Sequence, residues 1–285
     1  MDGTFTGINS ANKLLKDIAW GAATQGVAVL RFNKRTFQYG IGAFPNGDFE
    51  EFTIADEYTY DTLAALALLR TYTKVDHSKI ILAGHSLGAE VMPHIAQQAQ
   101  PPVNGVLLLA AVSTSLPDVL PWQEYYLSNL NVTYAEYGIE CRDLIQNATL
   151  TPKWIINCGA INPSLAAFNS YGNYWLSLRT YDTPPDKVNQ LVNTPVLVLQ
   201  GEADYNVPYA IPKSIPTGDV FIPTFARWQS TFKGSHRITL KSFKGLSHNF
   251  MFATNTGLAT PAEEAVTGHV DSGVIRAITD WAKAL

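Results

Sequence analysis

Cysteine and charge are both scarce in this chain. Only two cysteines, Cys141 and Cys158, occur in 285 residues, which excludes a disulfide framework and any zinc cluster built from cysteines and leaves at most one bridge. Charged residues make up 15% of the chain, its formal net charge is −4, and Lys and Arg form no dense run. A nucleic-acid partner requires a basic surface, so we expect none.

Long apolar runs are absent as well. The longest, such as Val103–Val112, have the length of a strand and fall well short of the roughly 18 residues of a membrane span. The first residues, Met1–Thr4, carry neither the basic nor the apolar region of a signal peptide, which favours the cytoplasm. No spacing of His, Asp and Glu suggests a metal site, and no Gly-rich loop suits a dinucleotide. We therefore expect neither a metal nor a cofactor, and the sequence leaves homo-oligomerisation open.

What the chain has is a high hydrophobic content of 46%, enough for a large buried core. Helical periodicity and short apolar runs alternate along much of it, and the runs are continuously apolar, as in strands buried on both faces. The sequence therefore predicts an α/β fold with a mostly parallel sheet covered by helices on both faces. The predicted strands are Val27–Phe32, Lys79–Ala83, Val103–Ala110, Pro195–Gln200 and Arg237–Phe243.

The alternation is interrupted over residues 113–185. This stretch contains eleven aromatic residues and shows little strand–helix rhythm. We interpret it as a helical, aromatic-rich lid inserted into a core made of residues 1–112 and 186–285. Three of its rings, Trp122, Tyr126 and Trp175, are candidates to wall a substrate pocket, although ordinary helix packing accounts equally well for most aromatic residues of such a segment.

The most specific motif is Gly84-His85-Ser86-Leu87-Gly88. It follows an apolar strand and precedes a helix, which is the setting of a nucleophile elbow. The turn would expose the Ser86 hydroxyl, and the N–H of Leu87 at the helix N-terminus would donate to an oxyanion. His85 would pack beneath the nucleophile or line the pocket. The bland alternative is a Gly-rich turn with a helix-capping serine.

A serine hydroxyl needs a base, and the base needs an acid that fixes its tautomer. Two later strands each run into a loop that supplies one of these groups. Asp204 follows the strand ending at Gln200, and His248 follows the strand ending at Phe243. Glu202 is the alternative acid, but it lies nearer the strand end, so we favour Asp204.

At these residues the chain resembles the α/β-hydrolase superfamily, and most closely its serine esterases of the dienelactone-hydrolase-like, acylaminoacyl-peptidase-related branch. The resemblance covers most of the chain except 208–224. It rests on the following segments: Lys16–Trp20, Gly26–Thr36, Gly84–Gly88, Pro195–Val207 and Gly245–Phe250. It implies an α/β-hydrolase fold and a catalytic triad of Ser86, Asp204 and His248, with an ester or acyl compound of low molecular weight as substrate.

The chain departs from that family at two places. Asn33 stands where relatives usually carry Asp, and relatives have an earlier strand, ending in His-Gly, that supplies a second oxyanion donor. Met1–Thr4 aligns just after that strand. We therefore expect Val27–Phe32 to pair directly with Ile80–Ala83, or a segment of a second molecule to fill the gap. The oxyanion hole would then depend on Leu87 alone, which predicts weak activity.

Three functions are compatible with this sequence. The leading one is hydrolysis of carboxylic esters through an acyl-enzyme on Ser86. The second keeps the site but changes the reaction to a biosynthetic acyl transfer, lactonisation or cyclisation. The third is a non-catalytic ligand-binding protein that retains the triad as a relic.

Overall fold

The computed structural model describes residues 12–43, 51–116, 119, 122–123, 126, 172–181, 184–210, 225–253, 257–260 and 267–285. Both cysteines and most of the predicted lid lie outside these residues. The division of the chain into core and lid therefore stays a prediction.

Four parallel strands form the described sheet, in the order in which they occur along the chain. The register brings Ala83 opposite Leu107, Leu107 opposite Leu197 and Leu197 opposite Thr239. Because every pair is parallel, all four carboxyl ends meet at one edge of the sheet. The parallel sheet predicted from the sequence is confirmed, and its strands are β1 (Ile81–His85), β2 (Gly105–Leu109), β3 (Val196–Gly201) and β4 (Ile238–Phe243).

Helices cover both faces of the sheet, and alternate strand residues face each layer. Leu107 and Leu197 pack with α1 and α8, whereas Val106 and Val198 belong to the larger core that includes α4. This two-sided burial is why β2 and β3 read as continuous apolar runs. The described helices are α1 (Leu14–Ala23), α2 (Arg35–Tyr39), α3 (Tyr60–Leu69, preceded by a π-helical turn at Ala55–Thr59), α4 (Leu87–Gln98), α5 (Gly172–Arg179), α6 (Pro184–Gln190), α7 (Ala226–Thr231) and α8 (Ser272–Ala284).

The prediction of a strand at Val27–Phe32 is wrong. Residues 27–34 have no regular secondary structure, and within the described residues β1 pairs only with β2. The segment therefore does not pair with β1. Val29 and Phe32 are 44% and 37% exposed, so the apolar composition that suggested a strand is not matched by burial. A segment without ladder hydrogen bonds gains too little to become a strand, whatever its β-propensity.

The crossing of β1 and α4 depends on Gly84. A Cβ at this position would lie 2.3 Å from the backbone oxygen of Gly88 and 2.7 Å from Met92 Cγ. At Gly88 a Cβ would make only ordinary contact, 3.7 Å from Tyr58 Cε1. Only the first glycine of the motif is therefore required for the close approach of strand and helix.

We expect Gly84→Ala to lower the free energy of unfolding by about 1–3 kcal/mol, because the added methyl overlaps backbone atoms that cannot rotate away. The matched control is Gly257→Ala, at a position where a Cβ meets nothing within 4 Å. Urea unfolding of both variants measures the difference. Equal stability of the two variants would contradict the packing argument.

Candidate active site

Ser86 lies in a strained turn between β1 and α4. Its φ and ψ are 56° and −125°, in a region that residues other than glycine rarely adopt. The Ser86 N–H donates to Leu109 O at 2.9 Å, and its carbonyl accepts from the N–H groups of Ala89 and Glu90. Leu87 is the first residue of α4, so its N–H is among the helix-terminal donors that no earlier turn of the helix satisfies. This backbone geometry is that of a nucleophile elbow.

His248 and Asp204 form a buried pair at the same edge of the sheet. His248 Nδ1 lies 2.8 Å from Asp204 Oδ2, and the two side chains are 1% and 0% exposed. A carboxylate accepts, so the proton of this bond belongs to Nδ1, and Nε2 is left as the basic nitrogen of the neutral ring. The pair therefore has the arrangement of an orienting acid and a general base.

Two further groups support the carboxylate. Gln200 Nε2 donates to Asp204 Oδ2 at 2.9 Å and to Val207 O at 2.8 Å. The Val207 N–H donates to Asp204 Oδ1 at 2.9 Å. Both carboxylate oxygens thus accept hydrogen bonds from the protein, which offsets the cost of burying the charge. No feature of the sequence singles out Gln200, because a polar residue ending a strand has many possible roles.

Glu202, the alternative acid, points elsewhere. Its Oε1 accepts a hydrogen bond from Ser242 Oγ at 2.7 Å, in a partly buried contact between the ends of β3 and β4. Asp204, by contrast, contacts the imidazole directly. The two acidic residues of this loop therefore have different partners, and only one of them reaches the candidate base.

A close backbone contact fixes the loop that carries His248. A Cβ on Gly201 would lie 2.4 Å from both Leu246 O and Ser247 O, so only glycine lets the end of β3 approach this loop. The Ala203 N–H donates to Leu246 O at 2.9 Å. The sequence signal for this contact is the glycine directly after the apolar run Pro195–Gln200.

His85 contacts the candidate base. The two imidazole centroids are 4.6 Å apart, and His85 Nε2 lies 2.9 Å from the backbone oxygen of His248. Burial, together with the neighbouring His248 ring, lowers the pKa of His85 to about 3. This contact joins the residue before Ser86 to the candidate base.

Two of the three candidate pocket rings are buried and contact Tyr205, the residue after Asp204. Trp122 is fully buried and its indole N–H donates to Tyr205 O at 2.7 Å. The Tyr126 hydroxyl lies 3.2 Å from Leu258 O and its ring stacks on Tyr205 at 5.1 Å. Trp175 belongs to α5, but its side chain lies outside the described part of the structure. Contact of these rings with a substrate stays a prediction.

Among the described residues, no group of three or more His, Cys, Asp or Glu side chains could hold a metal ion. None of the helices in the described part of the chain combines the length and the apolar composition that a membrane span requires.

The chain is similar in sequence to known hydrolases. A family model described as serine hydrolase matches residues 59–128, which include Ser86. The esterase EstD of Thermotoga maritima is 27% identical over 271 residues, covering 95% of this chain and 57% of that protein. The chain thus spans little more than half the length of this curated relative.

Among solved structures, Est1E from Butyrivibrio proteoclasticus is similar in fold. The alignment has a TM-score of 0.54 at 17% identity and covers 99% of this chain and 86% of Est1E. The structure of Est1E with ferulic acid bound gives a TM-score of 0.53. The chain has the α/β-hydrolase fold. Its sequence is similar to the serine hydrolase family model and to an esterase, whereas the dienelactone-hydrolase-like branch stays a prediction.

We expect Asp204→Asn to lower kcat for a small ester by about 10⁴-fold, by analogy with other triads, because an amide no longer stabilises the required imidazole tautomer. The matched control is Glu202→Gln, the same chemical change two residues away on a side chain that binds Ser242. Steady-state kinetics of both variants measure the difference. A larger loss in Glu202→Gln would show that Asp204 is not the acid.

Proposed function

We propose that the chain hydrolyses carboxylic esters of small molecules through an acyl-enzyme on Ser86. The observation that carries this proposal is the buried Asp204–His248 hydrogen bond, at the sheet edge where the strained Ser86 turn also lies. The similarity to EstD supports the choice of an ester as the substrate.

In the first step His248 Nε2 accepts the Ser86 hydroxyl proton as Oγ attacks the ester carbonyl carbon. The C=O π electrons move onto oxygen, and the N–H of Leu87 stabilises the resulting oxyanion at the N-terminus of α4. The buried carboxylate of Asp204 stabilises the imidazolium that forms. The intermediate then collapses, the C–O bond to the alcohol breaks, and His248 returns the proton to the leaving alkoxide.

In the second step water replaces the alcohol. His248 accepts a proton from the water as its oxygen attacks the acyl-enzyme carbonyl, and the same oxyanion position is used again. Collapse breaks the bond to Ser86 Oγ, which regains the proton from His248. The products are a carboxylic acid, an alcohol and the regenerated enzyme.

For the acyl group we propose an apolar or aromatic acid. Trp122, Tyr126 and Tyr205 stack in sequence, with centroid distances of 5.7 and 5.1 Å, and Tyr205 directly follows the proposed acid. Est1E, which shares the fold, has been solved with ferulic acid, an aromatic acid. Both observations favour aromatic acyl groups over short aliphatic ones.

The alternative reactions differ in what attacks the acyl-enzyme. An acyl transferase would give more ester than free acid when an alcohol competes with water, and a lactonising enzyme would give the cyclic ester of a hydroxy acid. A non-catalytic relic would give neither. Product analysis in water with and without an added alcohol therefore separates these functions from hydrolysis.

We expect Ser86→Ala to abolish hydrolysis of p-nitrophenyl acetate while the protein stays folded, because loss of the nucleophile costs about 10⁶-fold in kcat in comparable enzymes. Ser230→Ala is the matched control, since Ser230 is an exposed serine on α7 whose hydroxyl binds only a local carbonyl. Initial rates and circular dichroism of both variants provide the measurement. Turnover by Ser86→Ala equal to that of the control would remove Ser86 from the mechanism.

We expect Trp122→Phe and Tyr126→Phe to change the ratio of kcat/KM for ethyl ferulate to that for p-nitrophenyl acetate. These replacements are preferable to alanine, because truncating a fully buried aromatic residue costs about 3–5 kcal/mol of stability. Kinetics with both esters give the ratio, and thermal melting monitors stability. An unchanged ratio in both variants would show that the rings serve packing alone.

A further inference from the structure

His85 is the last residue of β1 and precedes the proposed nucleophile directly. Its ring packs against the His248 ring at a centroid distance of 4.6 Å and an interplanar angle of 50°. Its Nε2 lies 2.9 Å from the backbone oxygen of His248. His85 therefore connects β1, which leads into Ser86, to the loop that carries His248. The catalytic steps proposed for Ser86, Asp204 and His248 give it no task.

The direction of this hydrogen bond fixes the proton on His85. A backbone carbonyl only accepts, so Nε2 of His85 must carry the hydrogen. With a pKa of about 3, the ring stays neutral in the pH range where a histidine base works. A neutral donor holds the carbonyl without placing a second positive charge beside the imidazolium that His248 forms during acylation.

The bond to Asp204 and the bond to His85 restrain different parts of His248. Asp204 holds the ring through Nδ1, whereas His85 holds the backbone through the carbonyl. The backbone needs such a restraint, because the loop turns sharply: Phe250 has a φ of 56°, and the Ser247 N–H donates to Met251 O at 2.8 Å.

We propose that His85 is a positioning residue for the base. Its Nε2–H holds the His248 backbone at the end of β1, so that the imidazole stays within reach of the Ser86 hydroxyl. The inference rests on the proposed function and deepens it. It gives His85 a role in orienting the catalytic machinery, beyond the packing or pocket-lining role that the sequence suggested.

The test compares two replacements of His85. His85→Gln keeps an N–H donor close to the position of Nε2, and His85→Leu keeps bulk but removes the donor. His77→Leu is the matched control, because His77 makes the same type of bond, from Nε2 to Tyr72 O at 3.2 Å, on an exposed part of the chain. Each variant is measured for kcat and KM with p-nitrophenyl acetate and for thermal stability.

We expect His85→Leu to lower kcat by about 10- to 100-fold with little change in KM, as a displaced catalytic group does. His85→Gln should recover most of that loss, and His77→Leu should match the parent. Full activity of His85→Leu would overturn the proposal, and so would equal losses in the Leu and Gln variants. If His85→Leu does not fold, His85→Phe, which keeps a ring without a donor, takes its place with the same expected loss.

A second measurement does not depend on turnover. The His248 Nδ1 proton in the bond to Asp204 should give a far-downfield proton NMR signal in the parent. We expect this signal to broaden or disappear in His85→Leu and to persist in His85→Gln and His77→Leu. If the signal responds in this way but the parent protein cleaves no ester, the positioning role stands and the proposed function is refuted. An unchanged signal in His85→Leu would refute the positioning role.

Discussion

The hydrogen bond between Asp204 and His248 joins two side chains that are almost completely removed from water. A buried carboxylate is costly unless its oxygens are satisfied, and here Gln200 and the Val207 N–H complete the set. The bond also requires that β3 and β4 be adjacent and parallel, so that the loops after them emerge side by side. The side-by-side, parallel arrangement of β3 and β4 thus brings Asp204 and His248 together.

Close backbone approach is the second constraint. Gly84 lets α4 cross the end of β1, and Gly201 lets the loop of the base lie against the end of β3. Any other residue at either position would place its Cβ within about 2.4 Å of backbone atoms. These two contacts set the positions of the proposed nucleophile and the proposed base, because side chains at either site would force the flanking elements apart.

The parts of this structure that the sequence predicted are those where local pattern and tertiary environment agree. β2 and β3 are apolar over most of their length because both faces are covered, and the motif around Ser86 is local in the chain. Val27–Phe32 has the same kind of composition but no ladder partner among the described residues, and composition alone does not reveal a missing neighbour. Asp204 was favoured over Glu202 by its distance from the strand end, which reflects the length of the turn. The position of His85 depends on a contact with His248 in a distant segment of the chain, so no local pattern could indicate it. Gln200 contacts the loop that directly follows it, but the sequence alone does not show how that loop folds back.

The central claim is that Ser86 is an activated nucleophile. Treating the folded chain with a fluorophosphonate probe and locating the adduct by peptide mass spectrometry tests this claim most directly, because a serine reacts at a useful rate only when a base activates it. The account predicts one adduct per chain, on the peptide that contains Ser86, and none after denaturation. An adduct on another residue, or no adduct on the folded protein, would contradict it.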